Sequence, residues 1–87
     1  MNSVSVKPEI DFRAIAAAAL AQAESLVREW LPHGKREGAE WVALNPTRND
    51  HSPGSFSINL MTGAWSDFAD DAKGRDLISL YAYLHGI

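Results

Sequence analysis

The sequence predicts an α+β fold, and three features carry that prediction. A stripe of apolar residues at three- and four-residue steps begins at Phe12, three short segments of strand character follow, and a shorter apolar stripe closes the chain. Strands grouped between helices favour antiparallel pairing, so the expected architecture is a three-stranded antiparallel sheet packed by a long N-terminal helix and a short C-terminal helix.

Residues 1–10 have no hydrophobic period and contain Pro8, which predicts a flexible arm ahead of a single domain over 11–87. Phe12, Ile15, Ala16, Ala19, Leu20, Ala23, Leu26, Val27 and Trp30 fall on one helical stripe, with Asp11 as N-cap. The alanines at 16–19 have the highest helix propensity available, and Pro32-His33-Gly34 supplies the stop. GKREGAE then reads as a charged turn, WVALN at 41–45 as a strand and NPTRNDHSPG as a loop. SFSINL at 55–60 alternates, with Phe56, Ile58 and Leu60 on one face and Ser55, Ser57 and Asn59 on the other. Met61-Thr62-Gly63 turns the chain into AWSDF at 64–68. DDAKGRD reads as a polar loop with Gly74 available for a positive φ. Leu77, Leu80, Tyr81 and Leu84 recur at one-turn spacing behind Asp76, and Gly86 marks the stop of the last helix. The chain ends directly behind that stop, which reads as a domain boundary.

Eighty-seven residues suffice for one domain, and a domain this short buries about 60–65% of its unfolded surface, so its core is thin. There is no cysteine, which excludes a disulfide framework and a thiolate zinc site. An apolar content of 46%, with three Trp, three Phe and two Tyr, separates the chain from the disordered class. No apolar run approaches the roughly 18 residues of a membrane span, and the N-terminus lacks the order of a secretory signal, so a cytoplasmic protein without a membrane partner is expected. A net charge of −3 disfavours indiscriminate binding to phosphates but leaves room for a local basic face.

The segment NPTRNDHSPGSFSINLMTGAWSDFADDAKGRDLISLYAYL resembles the zinc-binding domain at the front of bacterial and phage DNA primases. In that family Cys-Pro-x-His is followed by Pro-Ser-Phe-Ser, a hairpin, His-Cys-Phe-x-Cys and a Gly-Gly-Asp turn into a helix. Asn45-Pro46 stands at the Cys-Pro, Arg48 at the His, Asp67-Phe68 at the Cys-Phe and Asp70 at the last Cys. Pro53-Gly54-Ser55-Phe56-Ser57 matches Pro-Ser-Phe-Ser with one inserted glycine, and Gly74-Arg75-Asp76 takes the place of Gly-Gly-Asp. The likeness covers about half of the chain and departs at every ligand position. Arg only donates and Asn is a poor ligand, so the resemblance implies a zinc-ribbon-like sheet without zinc and without any cofactor. Metal-coupled folding energy on the order of 10 kcal/mol must then be replaced. The long helix covering the sheet, and pairing of Arg48 with Asp67 or Asp70, are the expected replacements.

No catalytic apparatus is legible. G-x-S-x-G, P-loop and G-x-G-x-x-G motifs are absent, and His33, His51 and His85 have no relay or metal-cluster spacing. Asp67, Asp70 and Asp71 suit Mg²⁺ in principle, yet three carboxylates in a polar loop are more often simply solvated. Lys35, Arg36, Arg48, Lys73 and Arg75 are interleaved with Trp41 and Trp65, a pairing of cations and rings suited to phosphates and stacked bases of a single strand. Core packing is the competing role for both tryptophans. The resemblance implies a non-catalytic accessory domain of a primase or primase-helicase of a phage, plasmid or integrated element, binding single-stranded template DNA. The alternative is a module that docks onto other replication proteins, or onto further domains of its own chain, without touching DNA.

Overall fold

The computed structural model describes residues 11–47 and 55–87. The expected arm at 1–10, and the loop positions Arg48, His51, Pro53 and Gly54, lie outside the described residues. The fold is α+β, in the order α1 (Phe12–Leu20), α2 (Ala23–Trp30), β1 (Lys35–Glu37), β2 (Glu40–Ala43), β3 (Phe56–Asn59), β4 (Trp65–Asp67), β5 (Ala72–Gly74) and α3 (Leu77–His85). The five strands form one antiparallel meander in sequence order.

Five strands replace the expected three. The two additions are the edges, β1 where a charged turn was expected and β5 where a polar loop was expected. Edge strands need no apolar alternation, because each takes only one row of ladder hydrogen bonds and leaves its side chains to solvent. All three residues of β1 are accordingly exposed. Gly38, at φ 63°, begins the two-residue turn into β2, the position where tight hairpins place a glycine.

The predicted long helix is two helices. Gln22 leaves the helical region at φ −122°, ψ 32°, and the Gln22 amide bonds the carbonyl of Ala19 in place of the residue four back. Each half then follows its own partner. Ala23 and Val27 of α2, with Leu31 behind it, are buried against the sheet, whereas α1 runs beside α3 and buries none of its residues. Phe12, first on the predicted stripe, is 65% exposed. Alanine propensity, capped by Asp11 accepting from the amide of Ala14, sustains α1 where burial does not.

The core lies between the two later helices and one sheet face. Val27 and Leu31 meet Trp41, Ala43, Phe56, Ile58, Leu60 and Trp65, with Leu77 and Leu80 from α3. Alternation in β3 is as expected: Phe56 and Ile58 are buried, Ser57 and Asn59 half-buried. α3 is held at both ends by local chemistry, Asp76 accepting from the amide of Ser79 and Gly86 closing the helix at φ 69°. The left-handed residue between β4 and β5 is Asp71, at φ 53°, and not Gly74. Gly74 is small for a different reason, since the Trp65 indole and the Ser79 hydroxyl occupy the space of a side chain.

Candidate functional site

Three of the four positions aligned with metal ligands meet at one corner. Asn45 follows β2, Asp67 ends β4, and Asp70 lies in the turn behind it; Tyr83 of α3 reaches between them. Asn45 is 1% exposed and Asp67 wholly buried. The Asn45 amide nitrogen donates to Asp67 Oδ2 at 2.7 Å and to Tyr83 Oη at 2.8 Å. Tyr83 Oη in turn donates to Asp70 Oδ2 at 3.2 Å. The Asn45 carbonyl oxygen accepts from the Thr47 amide and hydroxyl, and Asp67 Oδ1 accepts from the Ala69 amide at 3.0 Å. A donor and an acceptor thus face one another in this buried corner, and the burial cost of each is offset by the other. Among the described residues no group of three or more His, Cys, Asp or Glu side chains is placed to hold a metal ion. Asp71, the third acid of the Asp67, Asp70 and Asp71 group, is solvent-exposed. Arg48, the fourth aligned position, falls outside the described residues.

The cations divide between faces and edges. Register places Lys35, Val42, Ser57, Ser66 and Lys73 in one row across the sheet, on the face opposite the core. The two lysines therefore flank a polar centre from opposite edges, four strand spacings or roughly 19 Å apart. Between them lies a shallow groove of about 340 Å³, bordered by Glu40, Ser57, Asn59, Ser66 and Lys73. Arg75 is exposed just beyond β5. Lys35 lies 3.6 Å from Glu37, an exposed and loose pairing.

Arg36 points the other way. Paired with Trp41 on the helix-covered face, its guanidinium donates to the Gly38 carbonyl at 2.7 Å and to Glu24 of α2. Glu24 also takes Arg28 at 2.7 Å, and the Arg28 guanidinium lies over the Trp41 ring at 4.8 Å. The Arg28 hydrogen bond, followed by the charges of Arg36 and Arg28, holds the Glu24 carboxyl below its ordinary value of 4.5. A depressed folded value means that this carboxylate supports the fold above the unfolded value and ceases to do so as pH falls through the folded one. Carboxyl-detected NMR titration is expected to place the Glu24 midpoint below 4.5, and Arg28→Gln to return it upward.

Trp41 and Trp65 do not offer stacking surfaces. They are 2% and 6% exposed, and each indole N–H is already committed, to the Leu31 carbonyl and to Ser79 Oγ, both at 3.0 Å. Thin cores recruit their largest rings, and these two lie on the sheet's inner face. The aromatic surface lies elsewhere. Trp30 meets Tyr81 edge-on with centroids 5.5 Å apart, and Tyr81 stacks on His85 at 4.0 Å. The Tyr81 and His85 spacing, one helical turn, was the available signal for that pair. Beside Trp30 opens a cavity of about 210 Å³, which pattern reading does not reveal because its walls come from two separate stretches, 30–34 and 43–46.

No protein-family model, no characterised protein and no solved structure matches the chain. No described helix is long and apolar enough to cross a membrane.

Proposed function

We propose that this chain is a metal-free, non-catalytic module of a DNA-replication protein, related to the zinc-binding domain of primases and contacting single-stranded template through its open sheet face. The observation that carries the reading is one hydrogen-bonded chain, Asp67–Asn45–Tyr83–Asp70, that joins three positions the primase pattern assigns to metal ligands. Such a corner keeps the strand ends and α3 together by hydrogen bonding where the relatives use a cation. Template contact falls to Lys35 and Lys73, on one face, with Arg75 beside them. Arg36, bound to Glu24, and the buried Trp41 and Trp65 drop out of the interface.

Binding of this kind is phosphate-dominated and indifferent to sequence, and its salt dependence follows from three cations. For single strands the slope of log K against log salt is about −0.7 per phosphate contact, or roughly −2 here, a loss of about twentyfold in affinity between about 50 and 200 mM salt. Fluorescence anisotropy with labelled single- and double-stranded oligonucleotides measures this directly. Preference for the single strand, that slope, and a shallower one in Lys73→Ala are expected. Absence of binding at the lower salt removes the template role.

A further inference from the structure

At 80% exposure Phe68 is the barest of the large apolar side chains on the sheet, and among the described residues no other ring lies against it. Its place is fixed by backbone hydrogen bonds and not by packing. The Phe68 amide donates to the Ser55 carbonyl at 2.9 Å, which carries the β3–β4 ladder one pair beyond Phe56 and Asp67. Phe56 and Asp67 are wholly buried, so alternation puts Ser55 and Phe68 on the open face with Ser57 and Ser66. Beyond the ring, the Ala69 amide donates to Asp67 Oδ1 at 3.0 Å and the Asp70 amide to the Asp67 carbonyl at 3.2 Å. The chain is thus tied down on both sides of Phe68, and a ring presented on fixed backbone loses little freedom when something lies on it.

Charge around the ring is arranged unequally. Lys73 stands opposite Ser66, which makes Phe68, two residues along β4, its diagonal neighbour at about 7–8 Å and within reach of its side chain. Arg75 follows on the same edge, exposed like Lys73, and neither cation has a carboxylate partner among the described residues. The turn beyond the ring is acidic, with Asp71 exposed and the Asp70 carboxylate accepting from the Tyr83 hydroxyl. A phosphate is therefore drawn to the edge strand and repelled from the turn, whereas an uncharged nucleobase meets no such barrier over the ring. A nucleotide bound at this place is oriented by that contrast, phosphate at the edge and base toward Phe68.

We infer that Phe68 is the stacking platform of the open face, taking one nucleobase of a single strand whose phosphates lie at Lys73 and Arg75. This role rests on the template reading above and supplies what cations alone do not, a reason for preferring one strand to two. Every base has a π-face that a ring can cover, so the contact is tolerant of sequence, but a duplex keeps its bases stacked on one another and offers none to Phe68.

The test is fluorescence anisotropy at about 50 and 200 mM salt with a labelled single strand, and with a strand of the same length built wholly of abasic units. Phe68→Ala is expected to weaken the normal strand about five- to tenfold while leaving the melting curve and the salt slope as in the parent chain, because a ring releases no counterions. Phe68→Trp should bind at least as tightly as the parent. The abasic strand should bind the parent about as weakly as the normal strand binds Phe68→Ala, and should respond to neither substitution. Equal affinity of the parent and Phe68→Ala for the normal strand, with Lys73→Ala still weakening it, overturns the inference and leaves the template reading standing. Binding of neither strand by the parent overturns both. A parent dimer in sedimentation that Phe68→Ala dissociates assigns the ring to a second copy of the chain and likewise overturns the inference.

Discussion

Asp67→Ala is expected to lower stability by about 2–4 kcal/mol, a large share of what a domain of this size possesses. The carboxylate is wholly buried, and among the described residues its two oxygens accept from the Asn45 amide and the Ala69 backbone N–H. Deleting it strips both, and hydrogen bonds to a charged acceptor are worth about 1.5–3 kcal/mol each. Thermal unfolding followed by circular dichroism should show a fall of roughly 10–25 °C, given about 4–8 °C per kcal/mol in domains of this length. Asp67→Asn is a partial remedy only. An amide has one acceptor oxygen, so its NH₂ group must face either the Asn45 amide or the Ala69 N–H, and a loss smaller than that of alanine but still well resolved is expected. The same melts test the metal-free reading, since zinc and chelators should leave the parent curve where it is. A rise with zinc would show that this corner still holds a cation.

How much of this was legible in the sequence depends on whether the cause was local. Asp76 and Gly86 bound α3 as expected because a cap and a stop act within a few residues of themselves. Phe56 and Ile58 reached the core as expected because alternation and burial are one property in a strand with one wet face. The edge strands were hidden for the opposite reason. Lys35, Arg36 and Glu37 carry no apolar signal, and they are extended because β2 offers an unpaired row of backbone groups. The break at Ala21 and Gln22 contains neither glycine nor proline, and an apolar stripe continues across it. It arises because α1 and α2 pack on different partners, which is information held by the tertiary structure alone.

The corner shows the same division. Asn45, Asp67 and Asp70 could be singled out by resemblance to a ligand pattern, but nothing in that pattern marks Tyr83, whose hydroxyl accepts from Asn45 and donates to Asp70. Its partners lie up to 38 residues away. Trp41 and Trp65 illustrate the converse error, because interleaving with cations in sequence says nothing about which face of a sheet a ring takes. Lys73 and Trp65 are near neighbours across the β4–β5 pair, and alternation sends them to opposite sides.

Gly74→Ala is expected to be comparably damaging, at about 2–4 kcal/mol, although it adds only a methyl group to a short edge strand. That methyl would fall between Ser79 Oγ and the Trp65 indole, 2.6 Å from Trp65 Cε2, and these two groups are hydrogen-bonded to each other at 3.0 Å. Neither can retreat cheaply. Trp65 is packed edge-on to Phe56 and tilted 33° against Tyr83 at 4.8 Å, while the Ser79 hydroxyl is tied to the Asp76 carbonyl at the start of α3. Overpacking costs about 1–3 kcal/mol, and the lost indole hydrogen bond adds about 1. Gly38→Ala is the control. Its Cβ meets nothing within 4 Å, so only the strain of a positive φ remains, about 1–2 kcal/mol. Urea unfolding should rank the Gly74 variant clearly below the Gly38 variant. In a double-mutant cycle Ser79→Ala should recover part of the Gly74→Ala loss, because removing Oγ makes room for the methyl. Additive losses would place the strain elsewhere than at this contact. Since β5 also carries Lys73 to the open sheet face, a strand pushed away from Trp65 carries that charge with it, and single-strand affinity should fall in Gly74→Ala but not in Gly38→Ala.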